Sequence, residues 1–135
     1  MKITESQKPE TSTSISYAKY SSTEPPDNLH PAFCFKHLDK KLGFPEDKKH
    51  RNSIINTIHR LGTNKWAEIR NWGYGNGGFE SIPKLKDKAP LKLPNDATVL
   101  AFHCSRDGRM IGFRDAKIFY VFWFDWSPFK IYKHS

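Results

Sequence analysis

The last third of the chain carries His103, Arg114, Tyr132 and His134. An imidazole moves protons near neutral pH. An arginine or a tyrosine hydroxyl holds or orients a reacting phosphate. Near them stand Lys117, Trp123 and Lys130, and earlier Lys84 and Lys86. Such cations neutralise phosphates, and a flat indole takes an unstacked base. Together these residue types suit a nucleic acid, with His103 or His134 able to move protons and Tyr132 or Arg114 able to orient a reacting phosphate. No metal site and no cofactor is expected.

Bulk composition fits an anionic partner. The 135 residues carry a formal charge of +8 and 19 aromatic side chains. That length supports one hydrophobic core. Residues 1–30 hold Lys2, Lys8 and Lys19 against Glu5, Glu10, Glu24 and Asp27, a net of −1, so residues 31–135 carry +9. The first segment is rich in Ser, Thr, Pro and Glu, and reads as a disordered tail. The folded domain is expected over 31–135. No apolar run approaches the roughly 18 to 20 residues that span a bilayer, and residues 1–8 hold no apolar signal core. Two cysteines are too few for a disulfide scaffold, which favours the cytoplasm.

The elements that must position these side chains follow from period. Residues 32–38 are short, aromatic and alternating, and predict a strand. Pro45 predicts the first turn of a helix, with Glu46 and Asp47 complementing its dipole. Ile54, Ile55, Ile58 and Leu61 recur at helical spacing, and Gly62 ends the run. Thr63 or Asn64 can cap a second helix in which Trp66 and Ile69 share a face. The glycines of residues 73–78 stop it. In the following basic stretch, Lys84, Lys86, Lys88 and Lys92 stand two or four apart. Pro90 and Pro94 make that stretch an exposed loop or edge strand.

Residues 98–104, 109–114, 118–125 and 129–134 alternate as strands with turn-like links, Asp107-Gly108 being the strongest turn. The expected class is α+β: an antiparallel sheet of four to five strands with two helices on one face. Even-numbered loops would place Phe102 with Ile111 and His103 with Met110. A helix-facing side would then hold Leu100, Phe102, Ile111, Phe113, Ile118, Tyr120, Phe122, Phe124, Phe129 and Ile131. An open side would gather His103, Met110, Arg114, Lys117, Phe119, Val121, Trp123, Lys130, Tyr132 and His134.

The order of two helices, a basic link and the cadence RMIGFRDAKIFYVFWFDWSPFKIYKH resembles the RelE/ParE toxin superfamily, specifically its ribosome-dependent mRNA interferases. The likeness covers roughly residues 50–134. It implies a RelE-like α+β fold and metal-independent cleavage of ribosome-bound mRNA, a toxin held in check by an acidic antitoxin. By position it assigns phosphate binding to Lys84 and Lys86, the strand arginine to Arg109 or Arg114, and the late aromatic or histidine to Tyr132 or His134. The 45 N-terminal residues are extra, and no C-terminal helix follows the final strand.

Other constellations carry less. Gly73, Gly75 and Gly78 match G-x-G-x-x-G but follow a helix rather than a strand, where the dinucleotide mechanism does not operate. Cys34, His37, His103 and Cys104 have the right types for zinc, yet adjacent strand residues point to opposite faces. Nothing around Cys34 marks a low-pKa thiol. Lys48, Lys49 and Arg51 oppose the helix dipole, which leans towards a binding role. The alternative to an endoribonuclease is a non-catalytic nucleic-acid- or protein-binding module, such as a phage or mobile-element effector.

Overall fold

The structure, a computed structural model, describes residues 24–85, 88–127 and 131. Five strands among them form one mixed sheet. They are β1 (Ala32–Cys34), β2 (Phe79–Ile82), β3 (Val99–His103), β4 (Arg109–Asp115) and β5 (Ile118–Asp125), in the spatial order β1-β5-β4-β3-β2. Two helices, α1 (Lys48–Gly62) and α2 (Trp66–Arg70), lie on one side. The α+β class and the helices on one face are as expected; the sheet is not wholly antiparallel. The strand expected over 129–134 lies outside the described residues apart from Ile131.

Helix α1 starts three residues after Pro45. Asp47 is its cap, accepting from His50 N at 3.0 Å. Ile54 and Leu61 are buried and Ile58 is partly so, but Ile55 is 62 % exposed. Buried Thr57 takes its place on the inner face. Helix α2 is not capped by Thr63 or Asn64. Its cap residue is Lys65, whose backbone N–H donates to the Glu68 carboxylate at 2.7 Å. Trp66 and Ile69 are both buried, as their spacing predicts.

Strand β1 pairs in parallel with β5, Ala32 opposite Ile118 and Cys34 opposite Tyr120. The cause lies upstream, in residues expected to belong to the tail. The Asp27 carboxylate pairs with Arg114 at 2.6 Å and with Arg70. The Leu29 carbonyl accepts from Trp66 N at 3.0 Å. These contacts deliver the chain to the β4–β5 turn, where Ala32 N donates to the Lys117 carbonyl. A strand that begins where β5 begins must run alongside it. Residues 1–23 lie outside the described residues.

The strand register corrects the expected faces. Cys104 N donates to the Gly108 carbonyl at 2.9 Å, leaving a turn of three residues, 105–107. An odd turn pairs Phe102 with Met110, not Ile111. The next turn is Ala116-Lys117, with Ala116 at φ 55°, so Arg114 faces Phe119. A bulge follows. Ile111 pairs with Trp123 but Gly112 pairs with Val121, so Phe122 is an extra residue. Phe122 and Trp123 consequently share one face, while Val121 and Phe124 share the other.

Met110, Phe119 and Val121 therefore join Leu100, Phe102 and Phe124 under the helices. Arg114 also points that way, over the Trp66 ring. Ile111 and Phe122 move to the opposite face, where they pack with Val99, Ala101 and Trp123. That face is not open. Ile82, Ile131 and the partly buried Leu42, Leu85, Leu91 and Leu93 cover it. The basic stretch after β2 is thus a cover for the second face, with Lys84, Lys88 and Lys92 outside and Leu85, Leu91 and Leu93 inside.

Candidate functional site

The expected site residues do not form one cluster. Arg114 and His103 sit at opposite ends of the sheet. His103 is paired with Arg109, and Arg114 lies five residues further along β4. That is about 17 Å at roughly 3.4 Å per residue, too far for both to serve one phosphate. Trp123 is 3 % exposed and cannot offer its ring to a base. Lys84 follows β2 and Lys117 sits in the β4–β5 turn, both at the Arg114 end. Lys86, Lys130, Tyr132 and His134 lie outside the described residues.

Arg114 is already engaged on three sides. Its Nε donates to the Ala116 carbonyl at 2.8 Å, its Nη2 donates to Asp27 Oδ1 at 2.6 Å, and its guanidinium lies 4.1 Å from the Trp66 ring centroid. The arginine is sandwiched between an aromatic face and a carboxylate, both favourable for a planar cation. This is a clasp that holds the N-terminal segment to the domain.

The other end of the sheet is different. The β3–β4 hairpin meets α1 and the glycine loop there. Ser105 organises the turn: its Oγ accepts from Gly108 N at 3.2 Å and from Trp126 Nε1 at 3.1 Å. The Trp126 ring covers Gly108, where an added Cβ would lie 2.3 Å from the indole. His50 stacks on the outer side of Trp126, with centroids 4.2 Å apart and planes at 20°. The ring of Tyr74, carried by the loop after α2, lies 4.1 Å from that of His103. His103 Nδ1 is 3.2 Å from the Ser105 carbonyl oxygen. A carbonyl can only accept, so Nδ1 carries the proton in this contact.

Cations stand at the same end. Arg109 donates to the Arg106 carbonyl at 3.4 Å, and Arg60 donates to the Gly77 carbonyl at 3.3 Å. Gly77 is at φ 92°, which brings its backbone against the Arg60 guanidinium. Arg60 Nε is buried with no hydrogen-bond partner among the described residues. Lys48, Lys49 and Arg51 project from the first turn of α1. Among the described residues no carboxylate pairs with any of these six cations. Nearby acids serve the backbone instead. Asp47 caps α1, and the Asp125 carboxylate, on the strand beside Arg109, accepts from Ser127 N.

Cys104 lies beneath this end. Burial pushes its thiol up to about 12 from an ordinary 9.0; a hydrogen bond with Thr57 and the charges of Arg60 and Arg109 oppose the rise without overcoming it. It is therefore no nucleophile at neutral pH. Below pH 9 its contribution to stability is complete. Between 9 and 12 the unfolded chain ionises first, and stability falls by about 1.4 kcal/mol per pH unit. The urea midpoint should drop across that window in the wild type, and drop less in Cys104→Ala.

Cys34 is on β1 and Cys104 follows β3, three strand spacings away, or about 14 Å at roughly 4.8 Å each. The four zinc-type residues thus do not converge, and no group of three or more His, Cys, Asp or Glu among the described residues is placed to hold a metal. No helix among the described residues is long and apolar enough to cross a membrane.

Sequence reasoning identified His103 and Arg109 at this end but missed Tyr74, Arg60 and Arg106. Tyr74 is flanked by glycines in a helix-stop loop, and Arg106 sits in the turn itself; both are positions where a chain presents side chains outward. The chain thus presents a small α+β domain with a cationic, aromatic sheet end. No protein-family model matches it, and no curated protein or solved structure matches it either.

Proposed function

We propose that this protein binds single-stranded RNA through the β3–β4 hairpin end. One observation carries the reading: Arg60, Arg106 and Arg109 stand at the end of the sheet where the Tyr74 and His103 rings meet, and none has a carboxylate partner among the described residues. Unpaired guanidiniums neutralise phosphates, and rings at the rim give bases a surface on which to stack. An acidic protein is the partner that would mask this end in the cell. The centre of the sheet is not the RNA-binding surface at this end, because its buried residues are covered on both sides.

Cleavage of RelE type is a second reading, favoured by His103. Its Nδ1 lies at the Ser105 carbonyl, and its cross-strand partner Arg109 would hold charge. Arg114 has no part in this version.

Fluorescence anisotropy with an unstructured RNA tests location. The Arg106→Ala/Arg109→Ala variant should bind roughly tenfold more weakly, having lost about two phosphate contacts. Lys84→Ala, at the far end, should bind as the wild type does. Equal losses in both variants would remove the hairpin end as the site. In the same preparation, with ribosomes supplied and RNA at a concentration that saturates the variant, His103→Ala should lose any cleavage; the loss of one ring weakens binding without removing the phosphate contacts.

A further inference from the structure

A cavity of about 470 Å3 opens on the face of the sheet away from the helices, at the end opposite the hairpin. Its volume falls within the roughly 300 to 1,000 Å3 of small-ligand sites. Phe113 and Tyr120 form its wall as cross-strand partners, with ring planes 19° apart. The His37 ring lies 6.4 Å from that of Tyr120. Two carboxylates, Asp96 and Asp115, also line the cavity, and no described cation forms a salt bridge with either. The Arg114 guanidinium, at the cavity's inner edge, is turned to Asp27 and Trp66.

We infer that this cavity takes a guanine base of a nucleotide. Flat aromatic walls accept a flat ligand. Carboxylates accept hydrogen bonds and offer none when ionised. Of the four RNA bases, guanine alone presents two adjacent donors, N1–H and N2–H, on one edge. Adenine, cytosine and uracil each set an acceptor beside the donor, and a carboxylate repels it. The aromatic wall favours a flat base over a free cation, which the carboxylates alone would also attract. The cavity stands apart from the hairpin end, so it adds base preference to RNA binding without depending on Arg106 or Arg109.

Calorimetric titration of the full chain with GMP, AMP, CMP and UMP tests the assignment. GMP should bind at least tenfold more tightly than the other three. Asp115→Asn and Asp96→Asn, whose side chains are exposed and replaceable without refolding the sheet, should each erase that preference while circular dichroism stays unchanged. Equal affinity for all four nucleotides, no binding of GMP at millimolar concentration, or an unchanged GMP preference in both variants would overturn it. Tight binding of N-acetyl-arginine amide in place of GMP would overturn it in favour of a basic peptide. None of these results bears on RNA binding at the hairpin, which is read from Arg106 and Arg109.

Discussion

Replacing Trp66 with alanine should destabilise the fold by about 3 to 5 kcal/mol, the range for removing a large buried aromatic. Trp66 is fully buried and lies against Phe102 and Phe119. Its Nε1 donates to the Lys117 carbonyl at 2.9 Å, and its ring carries the Arg114 guanidinium. One side chain thus joins α2, the core, the β4–β5 turn and the Asp27 clasp. A domain of this size has a total stability of about 5 to 15 kcal/mol, so the loss consumes much of it. Trp66→Phe should cost far less. It keeps most of the ring, and the Lys117 carbonyl still accepts from Ala32 N. Urea unfolding would measure both. A loss below about 1 kcal/mol for Trp66→Ala would mean that the residue does not link these elements.

Gly112→Ala is the second large effect, with an expected loss of about 3 kcal/mol, the upper end for overpacking. An added Cβ would stand 2.1 Å from the Tyr120 carbonyl oxygen and 3.0 Å from Phe119 Cζ. The first contact is with backbone, so no rotamer relieves it. Strands β4 and β5 would have to part at the bulge that separates the two faces. Gly75→Ala is the control, because nothing lies within 4 Å of its added Cβ. Both variants should be compared by thermal unfolding, with Gly75→Ala unchanged and Gly112→Ala clearly lowered. A Gly112→Ala protein as stable as the wild type would contradict the bulge register.

The same bulge explains which parts of the fold the sequence discloses. Strong local signals survive folding. The stripe through Ile54 and Leu61 gives α1, and alternation over Ile118–Asp125 gives β5 to the residue. Parity does not survive, because it depends on single residues. One extra turn residue between His103 and Arg109 flips β4, and one extra residue at Phe122 flips part of β5. The β1–β5 pairing is also invisible locally, since its partners are 86 positions apart, as in Ala32 and Ile118. It depends on Asp27, one of four acids in a segment whose composition reads as a tail.

The candidate site divides along the same line. His103 and Arg109 have the right types and stand together because antiparallel pairing sets them opposite. Arg114 has the right type and the wrong neighbours. Its position is fixed by Asp27 and Trp66, residues 87 and 48 positions away in sequence. Trp123 looks like a stacking platform until the basic stretch folds back over it. Residue type tells what chemistry is available; the turn parity and the clasp decide which groups share a surface.

The most direct test of RNA binding at the hairpin end is the salt dependence of affinity for an unstructured RNA. Log affinity should fall linearly with log salt for the wild type. In Arg106→Ala/Arg109→Ala the slope should be shallower by about 1.4, since each phosphate contact on a single strand contributes about 0.7. Lys84→Ala should keep the wild-type slope. Binding that ignores salt, or a double variant whose slope matches the wild type, would contradict the account.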